Sequence, residues 1–120
     1  MNLDADIALA LRLADAAGDA IRPHFRSGLT SERKGDATPV TLADRAAEEA
    51  MRRIIKAEFP RDALHGEEFG AETGQSGRTW VLDPIDGTAG FLAGRPLFGT
   101  LIALVVEGWP VLGVIDQAVM

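Results

Sequence analysis

Trp80-Val81-Leu82-Asp83-Pro84-Ile85-Asp86-Gly87-Thr88 carries an apolar run straight into two carboxylates. Thr79 to Leu82 predicts a buried strand that ends at Asp83, after which Pro84 stiffens the chain and Asp86 follows. Asp83 and Asp86, with the Ile85 carbonyl between them, offer the hard oxygen ligands that Mg2+ prefers. Gly87 and Thr88 would supply free backbone N–H groups at the start of a short helix, a cradle for phosphate. The plain alternative makes Asp83 a strand end, Asp86 a helix N-cap and Gly87 a turn residue. That alternative suits an isolated Asp-x-x-Asp-Gly; the full run after a Trp-Val-Leu strand is much harder to reach by chance.

Working outward, Glu67-Glu68 follows a short strand, Ala63 to His65, and Gly66. Adjacent acids in such a place are ordinarily a solvated loop. If Glu67, Glu68, Asp83 and Asp86 converged, they would repel one another, and divalent cations would relieve the repulsion. The same cations would let an acidic protein bind a phosphate dianion. Asp44 has two readings. Thr41-Leu42-Ala43-Asp44 is patterned as a capping box, with Thr41 as the cap. Alternatively, Asp44 accepts a hydrogen bond from Thr88 and helps that hydroxyl orient a water. Lys34 lies in a polar loop, where lysines are ordinarily just solvated. His65 and His24 read as packing residues, and Trp109 as a hairpin-tip aromatic.

The elements around these residues set the fold class. Leu3, Ile7, Ala10, Leu11, Ala14, Ala17 and Ile21 recur in steps of three and four, one face of a helix that Pro23 kinks or ends. Ser27 to Pro39 reads as a loop. A second helix is expected from Thr41 to Glu58, burying Ala43, Ala47, Ala50, Met51, Ile54 and Ile55, with Pro60 closing it. Ala71 to Arg78 reads as loop. Thr100 to Val106 and Val111 to Ile115 are strands joined by Glu107-Gly108-Trp109-Pro110. Helices first and strands after predict an α+β fold, two long helices packed on a largely antiparallel sheet.

Composition narrows the function. The 120 residues carry 12 Lys plus Arg against 18 Asp plus Glu, a net charge of -6 without a basic block, which argues against nucleic acid as a partner. No cysteine is present, so thiolate metal sites, thiol nucleophiles and disulfides are excluded. No apolar run approaches the roughly 20 residues of a membrane span. Acidic residues in Met1 to Arg22 are unlike a secretory signal, and a cytoplasmic location is expected.

Gly66-Glu67-Glu68 and Trp80 to Thr88, with Phe91, Gly94, Pro96 and the strand Leu101-Ile102-Ala103-Leu104, strongly resemble the inositol monophosphatase family. Val40-Thr41-Leu42-Ala43-Asp44 matches that family's helix-opening motif. The wording of Gly66 to Gly70 and of Pro110 to Gln117 is most similar to the bacterial histidinol-phosphatase branch. The resemblance implies a Mg2+-dependent, Li+-sensitive phosphomonoesterase with a layered αβαβα, sugar-phosphatase-like fold. Glu67, Asp83, Asp86 and the Ile85 carbonyl would hold Mg2+; Gly87 and Thr88 would bind phosphate; Asp44, Glu67 and Thr88 would be catalytic. Glu68 and Lys34 match positions flanking the site and in the loop over it.

The implied reaction is in-line attack of a metal-activated water on a small phosphorylated metabolite, histidinol phosphate in the first instance. An inositol or other polyol phosphate is the alternative substrate. The family also implies a homodimer. Ala89-Gly90 and Ala118 depart from its common residues. The family's C-terminal Trp-Asp motif, whose aspartate completes a metal site, has no match, so residues 1–120 read as the N-terminal portion of one domain. Little activity is expected of this chain alone, and a non-catalytic remnant is the remaining alternative.

Overall fold

The computed structural model describes residues 2–24, 39–86 and 99–116, with side chains described for 2–23, 42–83 and 99–116. Among the described residues two α-helices, α1 (Asp4–Ile21) and α2 (Pro39–Glu58), precede five strands: β1 (Ala63–Gly66), β2 (Gly70–Glu72), β3 (Arg78–Asp86), β4 (Gly99–Val106) and β5 (Trp109–Asp116). The strands form one sheet in the order β2-β1-β3-β4-β5. Among the described residues the β1–β3 pairing alone is parallel; β1–β2, β3–β4 and β4–β5 are antiparallel. The expected class, two helices on a largely antiparallel sheet, is the one observed.

Strand alternation puts Leu64, Trp80, Leu82, Ile102 and Leu104 on one sheet face, all buried against the helices. Cross-strand pairs Leu64↔Trp80, Trp80↔Leu104 and Leu82↔Ile102 make that face continuous. The helices close it with Leu9, Leu13, Ala17 and Ile21 from α1, and Ala43, Ala47, Met51 and Ile55 from α2. The small alanines of α2 let it lie close to its neighbours.

Asp62 and Arg78 tie this core together at its polar edge. Trp80 Nε1 donates to Asp62 at 2.9 Å, Ser76 Oγ donates to the same carboxylate at 2.7 Å, and Arg78 Nε donates to it at 3.1 Å. The Arg78 guanidinium lies 5.1 Å from the Phe59 ring centroid, and Phe59 stacks on Trp80.

Several expectations need correction. The buried face of α1 keeps Ala10, Ala14, Ala17 and Ile21 from the predicted one but is turned slightly: Leu9 and Leu13 are inside, whereas Ile7 and Leu11 are exposed. An Ala-rich helix specifies its stripe weakly, and the ion pair of Asp6 with Arg78 draws the Asp6 side into the protein. Helix α2 begins at Pro39, not Thr41. A proline at the first helical position loses only an N–H that lacks an intrahelical partner anyway. Thr41 therefore lies inside the helix, and the capping-box reading of Thr41 and Asp44 falls.

Ala71 and Glu72, expected as loop, belong with Gly70 to the edge strand β2, which pairs with β1. Strand β3 does not stop at Asp83; it continues to Asp86, with a register shift between the two. Asp86 is thus the last residue of β3, and Gly87 and Thr88 after it lie outside the described residues. At the β4–β5 hairpin, Glu107 (φ 49°) and Gly108 (φ 82°) form the tight turn. Trp109 and Pro110 are already strand residues, and Trp109 is 75% exposed at the sheet edge.

Candidate functional site

The parallel pairing of β1 with β3 is what assembles the acids. Gly66 is opposite Leu82 in that ladder, so Glu67, the first residue beyond β1, comes beside Asp83, which is still within β3. Adjacent strands lie about 4.8 Å apart. Two carboxylates that are 16 positions apart in sequence are thus neighbours at the C-terminal end of β1. The C-terminal ends of parallel strands are where open sheets present ligands. The register shift between Asp83 and Asp86 then bends β3, as irregularities do beside sites.

Glu67, Glu68 and Phe69 form the three-residue turn between β1 and β2, and Gly70 closes it at φ 73°, a conformation costly for a side-chain-bearing residue. Helix α2 supplies Asp44 from a half-buried position near this turn. Its carboxyl is pushed up from 3.8 to about 7, first by burial and then by the negative charges of Glu68, Asp83, Glu67 and Glu48. Asp44 therefore senses as a group the acids that the sequence spaces over 40 residues.

Glu67 and Asp83 also line an open cavity of about 590 Å3 on the sheet face turned away from the helices. His65, Val81, Leu101 and Ile115 are among its other walls. His65 was expected to be a packing residue; it is exposed and lines this cavity, because strand alternation places it opposite in direction to buried Leu64.

The donor chemistry of Asp44, Glu67, Glu68 and Asp83 suits a hard divalent cation: they offer carboxylate oxygens, and their negative charge adds to burial in holding a proton on Asp44 near neutrality. Among the described residues, no three such side chains are grouped to hold an ion by themselves. The two observations concern different ranges. Charges act over several ångströms, while coordination to Mg2+ needs about 2.1 Å. Lys34, Gly87 and Thr88 lie outside the described residues, as do the side chains of Ile85 and Asp86.

Glu48 was not foreseen. It is wholly buried on α2, one turn beyond Asp44, and its carboxylate meets the acidic turn. The signal was present: Glu48 and Arg52, an i,i+4 acid–base pair, are set among the apolar positions Ala47, Met51 and Ile55. A charged pair within an apolar stripe has to be satisfied inside the protein.

Residues 2–120 match the model of the Inositol monophosphatase family. A Histidinol-phosphatase of Chlorobaculum parvum is 52% identical over 92% of this chain and 43% of its own length. The chloroplastic Bifunctional phosphatase IMPL2 of Arabidopsis thaliana is 48% identical over 99% of this chain and 35% of its own. Among solved structures, an inositol monophosphatase from Zymomonas mobilis superposes with a TM-score of 0.86 at 54% identity, covering 99% of this chain and 46% of that one. The chain spans less than half the length of each.

Proposed function

As the chain belongs to the inositol monophosphatase family, we propose that it carries the acidic half of a Mg2+-dependent phosphomonoesterase site, hydrolysing a small phosphate monoester, histidinol phosphate first among them. The observation that carries this reading is the placing of Glu67 beside Asp83 by the parallel β1–β3 pairing, with Asp44 close enough that burial first, and then the charges of Glu68, Asp83, Glu67 and Glu48, raise its pKa to about 7. Such a cluster is costly to assemble without a cation to bind.

In this reading Glu67, Asp83 and Asp86, with the Ile85 carbonyl, hold Mg2+. The metal, when bound, supplies Lewis acidity and charge neutralisation for the phosphoryl group. Asp44 and Thr88 orient the attacking water, and Asp44 is suited to accept its proton. Gly87 and Thr88 hold the phosphate oxygens. Glu68 and Lys34 flank the site. His65 and the apolar walls beside Glu67 and Asp83 are available to the non-phosphate part of the substrate.

The preference for histidinol phosphate is supported by the Histidinol-phosphatase relatives of Chlorobaculum parvum, Mycobacterium tuberculosis and Streptomyces coelicolor, 46–52% identical. An inositol or other polyol phosphate is the second reading, favoured by the 32% identical Inositol monophosphatase of Mesembryanthemum crystallinum. Phosphate release from histidinol phosphate and from inositol 1-phosphate, with Mg2+ and with EDTA, tests both in the complete protein. Faster turnover of histidinol phosphate that EDTA abolishes is the expected result. Metal-independent release, or none from either substrate, overturns the proposal. In-frame coding sequence beyond Met120 with a Trp-Asp-x-x-Ala-Gly segment would supply the metal aspartate that residues 1–120 lack.

A further inference from the structure

We propose that Glu48, braced by Arg52, is the positioning residue of the acidic turn: it clamps the backbone at Glu68 and Phe69 and so sets where Glu67 presents its carboxylate. The inference rests on the reading of Glu67 as a metal ligand.

The Glu48 side chain has no exposure to solvent. Its Oε1 accepts the Glu68 N–H at 3.0 Å, and its Oε2 accepts the Phe69 N–H at 3.0 Å and the Arg52 Nε–H at 3.0 Å. Three donors around one carboxylate offset the loss of its hydration. Arg52, itself buried, goes on to donate to the Gly70 carbonyl and lies 5.8 Å from the Phe69 ring centroid. The pair therefore grips the turn at three consecutive residues, Glu68, Phe69 and Gly70.

Gly66 supplies an independent sign of the same construction. A Cβ there would collide with the Glu48 carboxylate, so the last residue of β1 leaves room for the clamp. The placement of the clamp matters as much as its strength. Asp44 and Glu48 are one turn apart on a single helix, so α2 fixes both Asp44 and the turn bearing Glu67. Groups that orient ligands in this way typically change metal affinity by about 10-fold or more when removed.

The test uses the complete protein with Mn2+ as the probe, comparing wild type, Glu48→Gln, Glu48→Ala and Asp62→Asn. Mn2+ affinity is read by isothermal titration, metal-free stability by thermal melting, and the Glu68 and Phe69 amides by NMR-detected hydrogen exchange. Glu48→Ala is expected to weaken Mn2+ binding about 10-fold and to unprotect those two amides while Trp80 and Leu82 in β3 keep their protection. Glu48→Gln, which retains an acceptor oxygen, falls between Glu48→Ala and wild type, and it carries the test if Glu48→Ala does not fold.

Asp62→Asn, a buried site away from the turn, lowers the melting temperature without changing Mn2+ affinity. Wild-type affinity and protection in folded Glu48 variants overturn the clamp. So does an equal loss of affinity in Asp62→Asn, which would mean stability alone is being read. A complete wild-type protein that binds no Mn2+ overturns instead the metal reading beneath it.

Discussion

Arg78 Nη2 donates to Asp6 Oδ1 at 2.6 Å, joining the first turn of α1 to the start of β3 across 72 residues of sequence. The same guanidinium serves Asp62 through Nε, so one cation satisfies two nearly buried carboxylates. Those hydrogen bonds raise the Arg78 pKa still further, and it remains charged at any working pH.

Arg78→Met keeps much of the stem that covers Phe59 but leaves both acids without their cation. A loss of roughly 3 kcal/mol in urea unfolding is expected. The acidic turn is remote from this network, so Mn2+ affinity of the folded fraction stays at the wild-type value. Wild-type stability for Arg78→Met would show the pair to be dispensable.

Asp44 gives the metal-free chain an inverse pH dependence. Its folded pKa of about 7 exceeds the ordinary 3.8, so the folded state holds the proton more tightly than the unfolded one. The sign follows from linkage: this contribution is complete below pH 3.8 and is lost as pH rises through about 7. Asp44→Asn removes that contribution. It is expected to raise metal-free melting at pH 8 relative to wild type and to flatten the profile between pH 4 and 8, while abolishing phosphate release in the complete protein. A profile with the same slope in Asp44→Asn places the titration elsewhere.

Asp83→Asn and Asp86→Asn each remove a proposed ligand with little change in volume. In the complete protein, either is expected to cut Mg2+-dependent phosphate release by about 100-fold or more. The measurement is turnover against Mg2+ concentration, with circular dichroism as the check on folding. Wild-type turnover and Mg2+ dependence in either variant would remove that residue from the ligand set.

Gly66→Ala sets a methyl group against the Glu48 carboxylate. The carboxylate is the end of a side chain, but three hydrogen bonds hold it, so moving aside breaks contacts. Destabilisation of about 1–3 kcal/mol is expected in urea unfolding. An unchanged midpoint would mean the carboxylate yields freely.

The sequence by itself determined the order of elements, the two-helix and sheet composition, and the acids worth watching. Leu101 to Leu104 and Trp80 to Asp83 are legible because β-branched and aromatic residues in a short run bounded by turn residues have few other uses. The buried face of α1 was legible only in part: Ala10, Ala14, Ala17 and Ile21 are inside as the spacing predicts, but so are Leu9 and Leu13 in place of Ile7 and Leu11. On a helix rich in alanine the leucines compete, and the inward side is the one whose Asp6 meets Arg78, a residue far along the chain. Thr41 looked like a cap because the local pattern fits one, yet the helix extends past it to Pro39.

Only the tertiary structure decided that Glu67 and Asp83 become neighbours. That follows from one parallel pairing, Gly66 opposite Leu82, which no local pattern encodes. The role of Glu48 was hidden for the same reason. A carboxylate in an apolar stripe shows that it has partners, but Glu68 and Phe69 become those partners only when the turn closes against α2.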